Sequence, residues 1–271
     1  MKSPKSIIAC TLFLLISISA ISGQNSSLAD EYMLQAENFK KNQERDSAII
    51  YYEKAAAGFQ KTGNIEKLIY SYNQIGIILT RQDKYEKAKT YLEKALSTGL
   101  SSLDSNHLEI ASTYISLGVV YAAEENYDQS LVYHNKSLAI RLLQLGENHA
   151  DVATNYGNIG NVYFRKMEFD NAIDTHLKAM KIREKVFGET SAEIIESYSN
   201  LGKAYREKKN YDTALVYFEK ALKNKISQRG QGHKDLVKFY NNISEVYYLM
   251  GNKEQGDFYK AKADEISMSP K

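Results

Sequence analysis

The chain contains one cysteine, two prolines and no tryptophan among its 271 residues. The cysteine is Cys10, so the chain cannot form an internal disulfide. The prolines, Pro4 and Pro270, stand at the two ends, so no proline interrupts a helix between them. Hydrophobic residues make up 43% of the chain, which is enough for a buried core and excludes disorder as a description of the whole chain.

Neither sign of charge dominates, because 35 lysines and arginines face 33 aspartates and glutamates. Two of the basic residues, Lys2 and Lys5, lie in the segment 1–23, which contains no acid, so the rest of the chain is balanced. A balanced chain argues against nucleic acid or an anionic membrane as the main ligand. We therefore expect no nucleic-acid partner.

Residues 1–23 have the order typical of a secretory signal peptide. The basic residues come first, an apolar run covers 7–21, and small residues follow. We predict export to the periplasm or the exterior, with 24–28 as a short segment before the folded part. An uncleaved membrane anchor is the alternative, although the run is short for a bilayer span. No later stretch is apolar enough to cross a membrane, so we expect no stable insertion of the remainder.

Similar residues recur every 42 positions. With a slightly shorter first step, this period divides the chain into six units, which begin near Ala29, Ile69, Ala111, Ala153, Ile195 and Val237. Position 4 of every unit is tyrosine, position 11 is large, and positions 8, 20 and 27 are small. Positions 4, 7, 8 and 11 share one face of a helix, and positions 20, 24 and 27 share another, so each unit is predicted to form two packed helices.

This pattern resembles the tetratricopeptide repeat (TPR), with tyrosine where the family often has tryptophan. The loops that contain Gly146, Gly188 and Gly230 resemble those of the 42-residue repeats in kinesin light chains. The resemblance covers 29–267, leaves 268–271 as a tail, and implies an all-α fold, a right-handed superhelical solenoid of about six helix-turn-helix repeats. We also expect the three glycines to end the second helices in a left-handed conformation.

No catalytic motif of the zinc HExxH, CxxC, phosphate-loop or GxSxG type is present. We therefore predict a protein that is not an enzyme and holds no cofactor or metal. His107, His149 and His233 occupy equivalent loops about one repeat apart, which is too far to share a zinc ion. His134 and His176 both fall at position 24 and are interpreted as packing residues.

Amide side chains recur at position 6 of the units and beside it. The TPR resemblance implies that the first helices line a concave groove, where amides can bind the backbone of an extended peptide. The predicted ligand-binding residues are Asn73, Gln74, Asn158, Asn161, Asn200, Lys203, Asn241 and Asn242. The alternative interpretation is a solvated polar face that binds nothing.

Two functions are compatible with these features. The first is a scaffold or adaptor that holds a peptide segment or a partner protein along the groove. The second is a sensory or regulatory input module that works with a separate signalling kinase or transcription regulator. An adjacent gene for such a kinase or regulator would favour the second.

Overall fold

The computed structural model describes residues 28–268, and this part of the chain consists of twelve α-helices and one short 3-10 turn, without a strand. No helix in this range is both long and apolar enough to cross a bilayer. The predicted leader at 1–23 lies outside the described residues, as do 24–27 and 269–271. Residue 28, expected in a preceding segment, is already helical.

Odd-numbered helices are the first helices of the repeats and even-numbered helices are the second. Their bounds are α1 (28–41), α2 (Arg45–Thr62), α3 (Ile65–Thr80), α4 (Tyr85–Ser102), α5 (Leu108–Ala123), α6 (Tyr127–Leu145), α7 (Ala150–Arg165), α8 (Phe169–Phe187), α9 (Ala192–Glu207), α10 (Tyr211–Arg229), α11 (Val237–Leu249) and α12 (Lys253–Met268). The 3-10 turn, Lys234–Leu236, leads into α11.

The chain divides into two compact units, with the boundary between Glu125 and Asn126. Unit 1 contains α1 to α5, and unit 2 contains α6 to α12. Within each unit, helices that follow one another in sequence pack together, and first helices also touch, α3 with α5 and α7 with α9. The boundary therefore falls inside the third repeat, between its first and second helices.

The turn between the two helices of a repeat has the same backbone conformation six times. Position 15 has a positive φ, between 57° and 77°, in every repeat: Gln43, Asp83, Glu125, Met167, Lys209 and Gly251. Only glycine enters this region without steric cost. In the other five repeats, the left-handed conformation of this residue therefore costs about 1–2 kcal/mol of conformational free energy, and it allows a tight reversal of the chain.

The three glycines predicted to end second helices do so, but in a different conformation from the one expected. Gly146, Gly188 and Gly230 have φ between 77° and 83°, as a left-handed residue would, but ψ between 163° and 168°. This combination lies outside the left-handed helical region and is open essentially to glycine alone. The requirement for glycine is therefore stricter than a left-handed cap would impose.

The recurring loop histidines begin the next first helix. The Nδ1 atoms of His107, His149 and His233 accept hydrogen bonds of 3.1–3.2 Å from the backbone N–H two residues further on. Ser191, at the equivalent position before α9, accepts from the N–H of Ile194 at 3.4 Å. Each contact satisfies one of the N–H groups that a helix start leaves unpaired. The regular recurrence of histidine thus has a structural cause.

Small residues at position 8 let the two helices of a repeat approach closely. A Cβ atom on these glycines would lie 2.6 Å from the side chain at position 24 in three pairs: Gly76 with Leu92, Gly160 with His176, and Gly202 with Phe218. His134 and His176 are 1% and 2% exposed, so the prediction that they are packing residues is confirmed. Burial, assisted by the nearby charges of Arg141 and Arg183, lowers the pKa of both imidazoles to about 4.

The position-4 tyrosines were predicted to be core residues, and they are half-buried in the first four repeats and buried in the last two. In four repeats the ring lies 6.1–6.3 Å from a tyrosine ring at position 23: Tyr32 with Tyr51, Tyr72 with Tyr91, Tyr198 with Tyr217, and Tyr240 with Tyr259. A lysine at position 26 lies over a tyrosine ring in every repeat: Lys54, Lys94, Lys136, Lys178, Lys220 and Lys262. These aromatic and cation–π contacts hold the second helix of a repeat against the first, and some of them link successive turns of the second helix.

Two buried arginines join successive repeats of unit 2. Arg141, near the end of α6, donates through Nη1 to Asn155 Oδ1 at 2.8 Å and to the carbonyl oxygen of Asp151 at 3.1 Å, both on α7. Arg183, at the equivalent position of the next repeat, donates through Nη1 to Ser197 Oγ on α9 at 2.8 Å. Hydrogen bonds to a charged group are stronger than neutral ones, so these contacts fix α7 against α6 and α9 against α8.

Candidate functional site

The candidate site in unit 2 is a row of amide side chains on its first helices, which we call the amide ladder: Asn158 and Asn161 on α7, Asn200 on α9 and Asn242 on α11. Positions 4, 8 and 11 of each first helix pack against the second helix. Because successive helical residues are about 100° apart, positions 6 and 9 point to the opposite side. Asn158, Asn200 and Asn242 hold position 6 and are half-buried, while Asn161, at position 9, is exposed.

Amides on adjacent first helices contact each other. The Nδ2 atom of Asn200 donates to Asn161 Oδ1 at 3.4 Å. Asn158 and Asn242 make no side-chain hydrogen bond with any residue of 28–268, so their donors and acceptors are open to a ligand. Lys203, at position 9 of α9, is exposed on the same side. The amide ladder therefore presents hydrogen-bond donors and acceptors along α7, α9 and α11, and Lys203 adds a positive charge beside it.

Two predicted site residues at position 5 lie elsewhere. Asn73 on α3 is 4% exposed, and its Nδ2 donates to Thr113 Oγ1 on α5 at 3.0 Å, so it is placed between two helices rather than on an open surface. Asn241 on α11 is half-buried and accepts from Lys260 Nζ on α12 at 3.4 Å. One residue along a helix is a rotation of about 100°, which turns position 5 from the open side toward a neighbouring helix.

The remaining predicted residue, Gln74, is half-buried at position 6 of α3 in unit 1. Its Oε1 accepts from Lys40 Nζ on α1 at 3.1 Å. In the next first helix, Ser116 holds position 6 but is buried, and its hydroxyl donates to the carbonyl oxygen of Ser112. Unit 1, as far as the structure describes it, therefore has no row of open amides comparable to that of unit 2.

Unit 1 instead has a cleft between α1, α3 and α5, which the sequence pattern did not predict. Its volume is about 300 Å³, and it is lined by Met33, Glu37, Glu66, Lys67, Tyr70 and Glu109. We call it the unit 1 cleft. Its three carboxylates hold different positions in their repeats, so no 42-residue recurrence marks them.

One carboxylate of the unit 1 cleft is fully engaged. Glu37 Oε1 accepts from the hydroxyl groups of Tyr52 and Tyr70, the latter at 2.7 Å, and Oε2 pairs with Lys40 Nζ at 2.5 Å. Burial opposes the ionisation of Glu37, but these three donors outweigh it, and the pKa is lowered. Glu37 is therefore a structural anion that holds α1 against α2 and α3.

The other two carboxylates, those of Glu66 and Glu109, have fewer polar contacts than Glu37. Burial raises the pKa of Glu109, which the nearby His107 offsets only in part. The carboxyl group of Glu109 has no hydrogen-bond or ion-pair partner among residues 28–268. The Oε1 atom of Glu66 lies 3.4 Å from the Nε2 atom of His107. Of the three carboxylates that line the unit 1 cleft, Glu109 is therefore the one without a partner in the described residues.

No site for a metal ion is evident elsewhere: residues 28–268 contain no cluster of three or more histidine, cysteine, aspartate or glutamate side chains that could hold one. The helix pairs, their 42-residue step and the contacts between first helices define an all-α helical-repeat scaffold. The family model described as tetratricopeptide repeat matches residues 32–101, 67–142, 109–166 and 151–227. The chain belongs to the tetratricopeptide repeat family.

Solved structures agree on the fold. BtubC (BKLC) from P. vanneervenii is similar, with a TM-score of 0.69 and 18% identity, over 92% of this chain and 94% of that one. A kinesin-light-chain-like protein from Podosopora anserina with nearly identical TPR-like repeats has a TM-score of 0.67 and 14% identity, over 75% and 96%. The apo form of RapI has a TM-score of 0.61 and 17% identity, over 89% and 97%. A search of curated proteins gives no significant match.

These likenesses confirm the predicted fold class, an all-α fold built from TPR repeats, with kinesin-light-chain-like neighbours among the solved structures. The TPR fold serves as a scaffold for protein–protein interaction and generally has no catalytic site. Its partners are proteins or peptides.

Proposed function

We propose that this protein is an exported, non-catalytic adaptor that holds a peptide segment or a partner protein along the first helices of unit 2. The observation that carries the proposal is the amide ladder, in which Asn158 and Asn242 have unused hydrogen-bonding groups and Asn200 already bridges to Asn161. An amide donates and accepts at once, so a row of amides can pair with a peptide backbone whatever its side chains are.

The helical framework favours binding with little rearrangement. Arg141 and Arg183 fix α7 and α9 against the helices that precede them, so the part of the ladder on these two helices is held in place before a ligand arrives. A preformed surface loses less conformational freedom on binding, which allows many modest contacts to add up to useful affinity. We expect Lys203 to contribute by attracting a carboxylate or a backbone carbonyl of the ligand.

The test is capture of the partner from an extract of the source organism, with identification by mass spectrometry. The bait is the purified protein, and the comparison bait carries Asn158→Ala, Asn200→Ala and Asn242→Ala. A matched control carries Asn135→Ala, Gln144→Ala and Gln231→Ala, which remove exposed amides outside the ladder. Circular dichroism verifies that all baits are folded.

A protein that the unaltered and control baits recover and the ladder variant loses would support the proposal. Equal recovery by all three baits would overturn it, because the binding site would then lie off the ladder. If the recovered protein is a signalling kinase or a transcription regulator, the protein acts as a sensory input module. Any other partner makes it a scaffold.

Export is proposed from the order of charged, apolar and small residues in 1–23. The test is mass spectrometry of the protein isolated from its source, together with fractionation of the cells. An exported protein that begins close to Gln24 supports the proposal. A protein that keeps Met1 and stays in the cytoplasm contradicts it.

A further inference from the structure

We infer that Arg141 receives the carboxylate of one acidic side chain of the partner, an aspartate or a glutamate, at the α7 end of the amide ladder. This inference rests on the proposed function, because it names one residue that the peptide segment or partner protein brings to the same surface. It concerns α6 and α7, which both belong to unit 2. Arg141 itself is not a member of the amide ladder.

Arg141 is a buried cation that no carboxylate of residues 28–268 contacts. The residue is 9% exposed, and its two hydrogen bonds, both from Nη1, go to the uncharged oxygens Asn155 Oδ1 and the Asp151 carbonyl. Burial lowers the pKa of Arg141, and the charge of the Asp151 carboxylate offsets this only in part. That carboxylate lies beside His149, with Oδ2 4.0 Å from Nδ1. Because a buried charge without a counter-ion is costly, an anion brought by a ligand would be stabilised here.

The Nε and Nη2 atoms of Arg141 carry unused donors. They make no hydrogen bond within residues 28–268. Neither is among the side-chain atoms of that range that are fully buried without a partner, so both keep contact with solvent. A guanidinium has N–H donors and no acceptor, and its flat edge matches the two oxygens of a carboxylate. The unused donors therefore favour an anionic ligand.

The next two repeats show how a carboxylate reaches this position. Arg141 holds position 31, and the equivalent residues of the following repeats are Arg183 and Lys225. Glu196 Oε2 lies 3.4 Å from Arg183 Nη2, and Asp235 Oδ2 lies 3.0 Å from Lys225 Nζ. The side chain of Glu196 is 61% exposed, although that of Arg183 is only 10% exposed. A carboxylate on the open surface can therefore reach a guanidinium at this depth.

Thr154 holds the place on α7 that Glu196 holds on α9. Both are at position 2 of a first helix, and both are exposed. The hydroxyl of Thr154 donates to the carbonyl oxygen of Ala150, and the side chain brings no charge to Arg141. The space that the Glu196 carboxylate fills beside Arg183 is therefore left to a ligand beside Arg141.

This subsite is continuous with the amide ladder. Asp151, Asn155 and Asn158 are spaced i, i+4 and i+7 on α7, so they share one face of the helix. Arg141 binds the first two, and Asn158 comes next on that face with its side-chain donors and acceptor unused. Asn158 also follows Thr154 by four residues, which makes their side chains neighbours. A peptide whose backbone pairs with Asn158 can therefore place an acidic side chain on Arg141.

The experiment is a nuclear magnetic resonance titration of the full, isotope-labelled chain with blocked nonapeptides of alternating serine and alanine. The central residue is glutamate in the first peptide, glutamine in the second and phosphoserine in the third. Glutamine keeps the shape of glutamate without its charge. We expect saturable shifts of the amide signals of 151–158 with the glutamate peptide, and binding about tenfold weaker with glutamine.

The variant Thr154→Glu tests the subsite without removing Arg141. It should place the chain's own carboxylate on the guanidinium, as Glu196 does on Arg183, and weaken binding of the glutamate peptide by about tenfold. Thr154→Gln is the matched uncharged variant and should retain most of the binding. Gln231→Glu is the charge control, because it adds the same charge at an exposed loop position away from α6 and α7.

Equal binding of the glutamate and glutamine peptides would overturn the inference. It would also be overturned if Thr154→Glu weakened binding no more than Thr154→Gln or Gln231→Glu does. Tighter binding of the phosphoserine peptide than of the glutamate peptide would overturn the choice of a carboxylate as the ligand.

The two proposals fail separately. If the ladder variant loses its partner but the glutamate and glutamine peptides bind equally, this inference alone is wrong. If the glutamate peptide is preferred but partner capture is independent of the ladder, the site assigned under the proposed function is wrong.

Discussion

The imidazole of His176 occupies the space that a Cβ atom on Gly160 would need, because that carbon would lie 2.6 Å from the ring. Gly160→Ala improves helix propensity by about 1 kcal/mol. It also forces a buried ring to move in a packed interior, which costs about 1–3 kcal/mol. We expect a net loss of about 1 kcal/mol in the free energy of unfolding, measured by urea denaturation at neutral pH.

Gly157 provides the control on the same helix. A Cβ atom there would lie 3.5 Å from Arg183 Nη2, an ordinary van der Waals distance. Gly157→Ala should therefore be neutral or should stabilise the protein by up to about 1 kcal/mol. Equal effects of the two substitutions would show that the close approach at Gly160 is not what sets its cost.

The buried histidines make stability depend on pH. The pKa of His134 and of His176 is lowered to about 4 by burial, whereas an unfolded histidine titrates near 6.5. The unfolded state therefore binds more protons than the folded state between these values, and stability falls as the pH falls below about 6.5. Between pH 6.5 and pH 5 the expected loss is up to about 2 kcal/mol for each histidine, measured by urea denaturation at both pH values.

The next repeat supplies the variant that isolates this effect. Phe218 holds the same position as His176 and packs on Gly202 at the same distance, so His176→Phe is expected to fit. It should remove about half of the pH dependence and leave the contribution of His134. An unchanged slope between pH 6.5 and pH 5 would assign the dependence to groups other than His176.

Packing at positions 8 and 24 was predictable because it recurs. Gly160 and His176 each belong to a set of equivalent positions that recurs once per repeat. A residue type that recurs on the same helical face in successive repeats indicates a core position. The loop histidines recur at the same 42-residue spacing, but recurrence alone does not show that they cap the helices that follow. Their Nδ1 contacts depend on where each helix begins, which the sequence marks only to within a few residues.

The candidate sites were harder to predict, for two physical reasons. A shift of one helical position rotates a side chain by about 100°, and this separates the open Asn242 from the inward-turned Asn73 although both sequence contexts are amide-rich. The unit 1 cleft joins Glu66 and Glu109 from two helices at unrelated repeat positions. Only the packing of α3 against α5 brings those side chains together.

The helix cap at His149 gives a third prediction. His149→Ala removes the acceptor of the Asp151 N–H and should lower the free energy of unfolding by about 1 kcal/mol. His149→Ser should retain most of that stability, since Ser191 caps α9 at the equivalent position. Thermal unfolding of the three proteins at one pH checks this. If serine were as destabilising as alanine, the imidazole would contribute through packing rather than through its hydrogen bond.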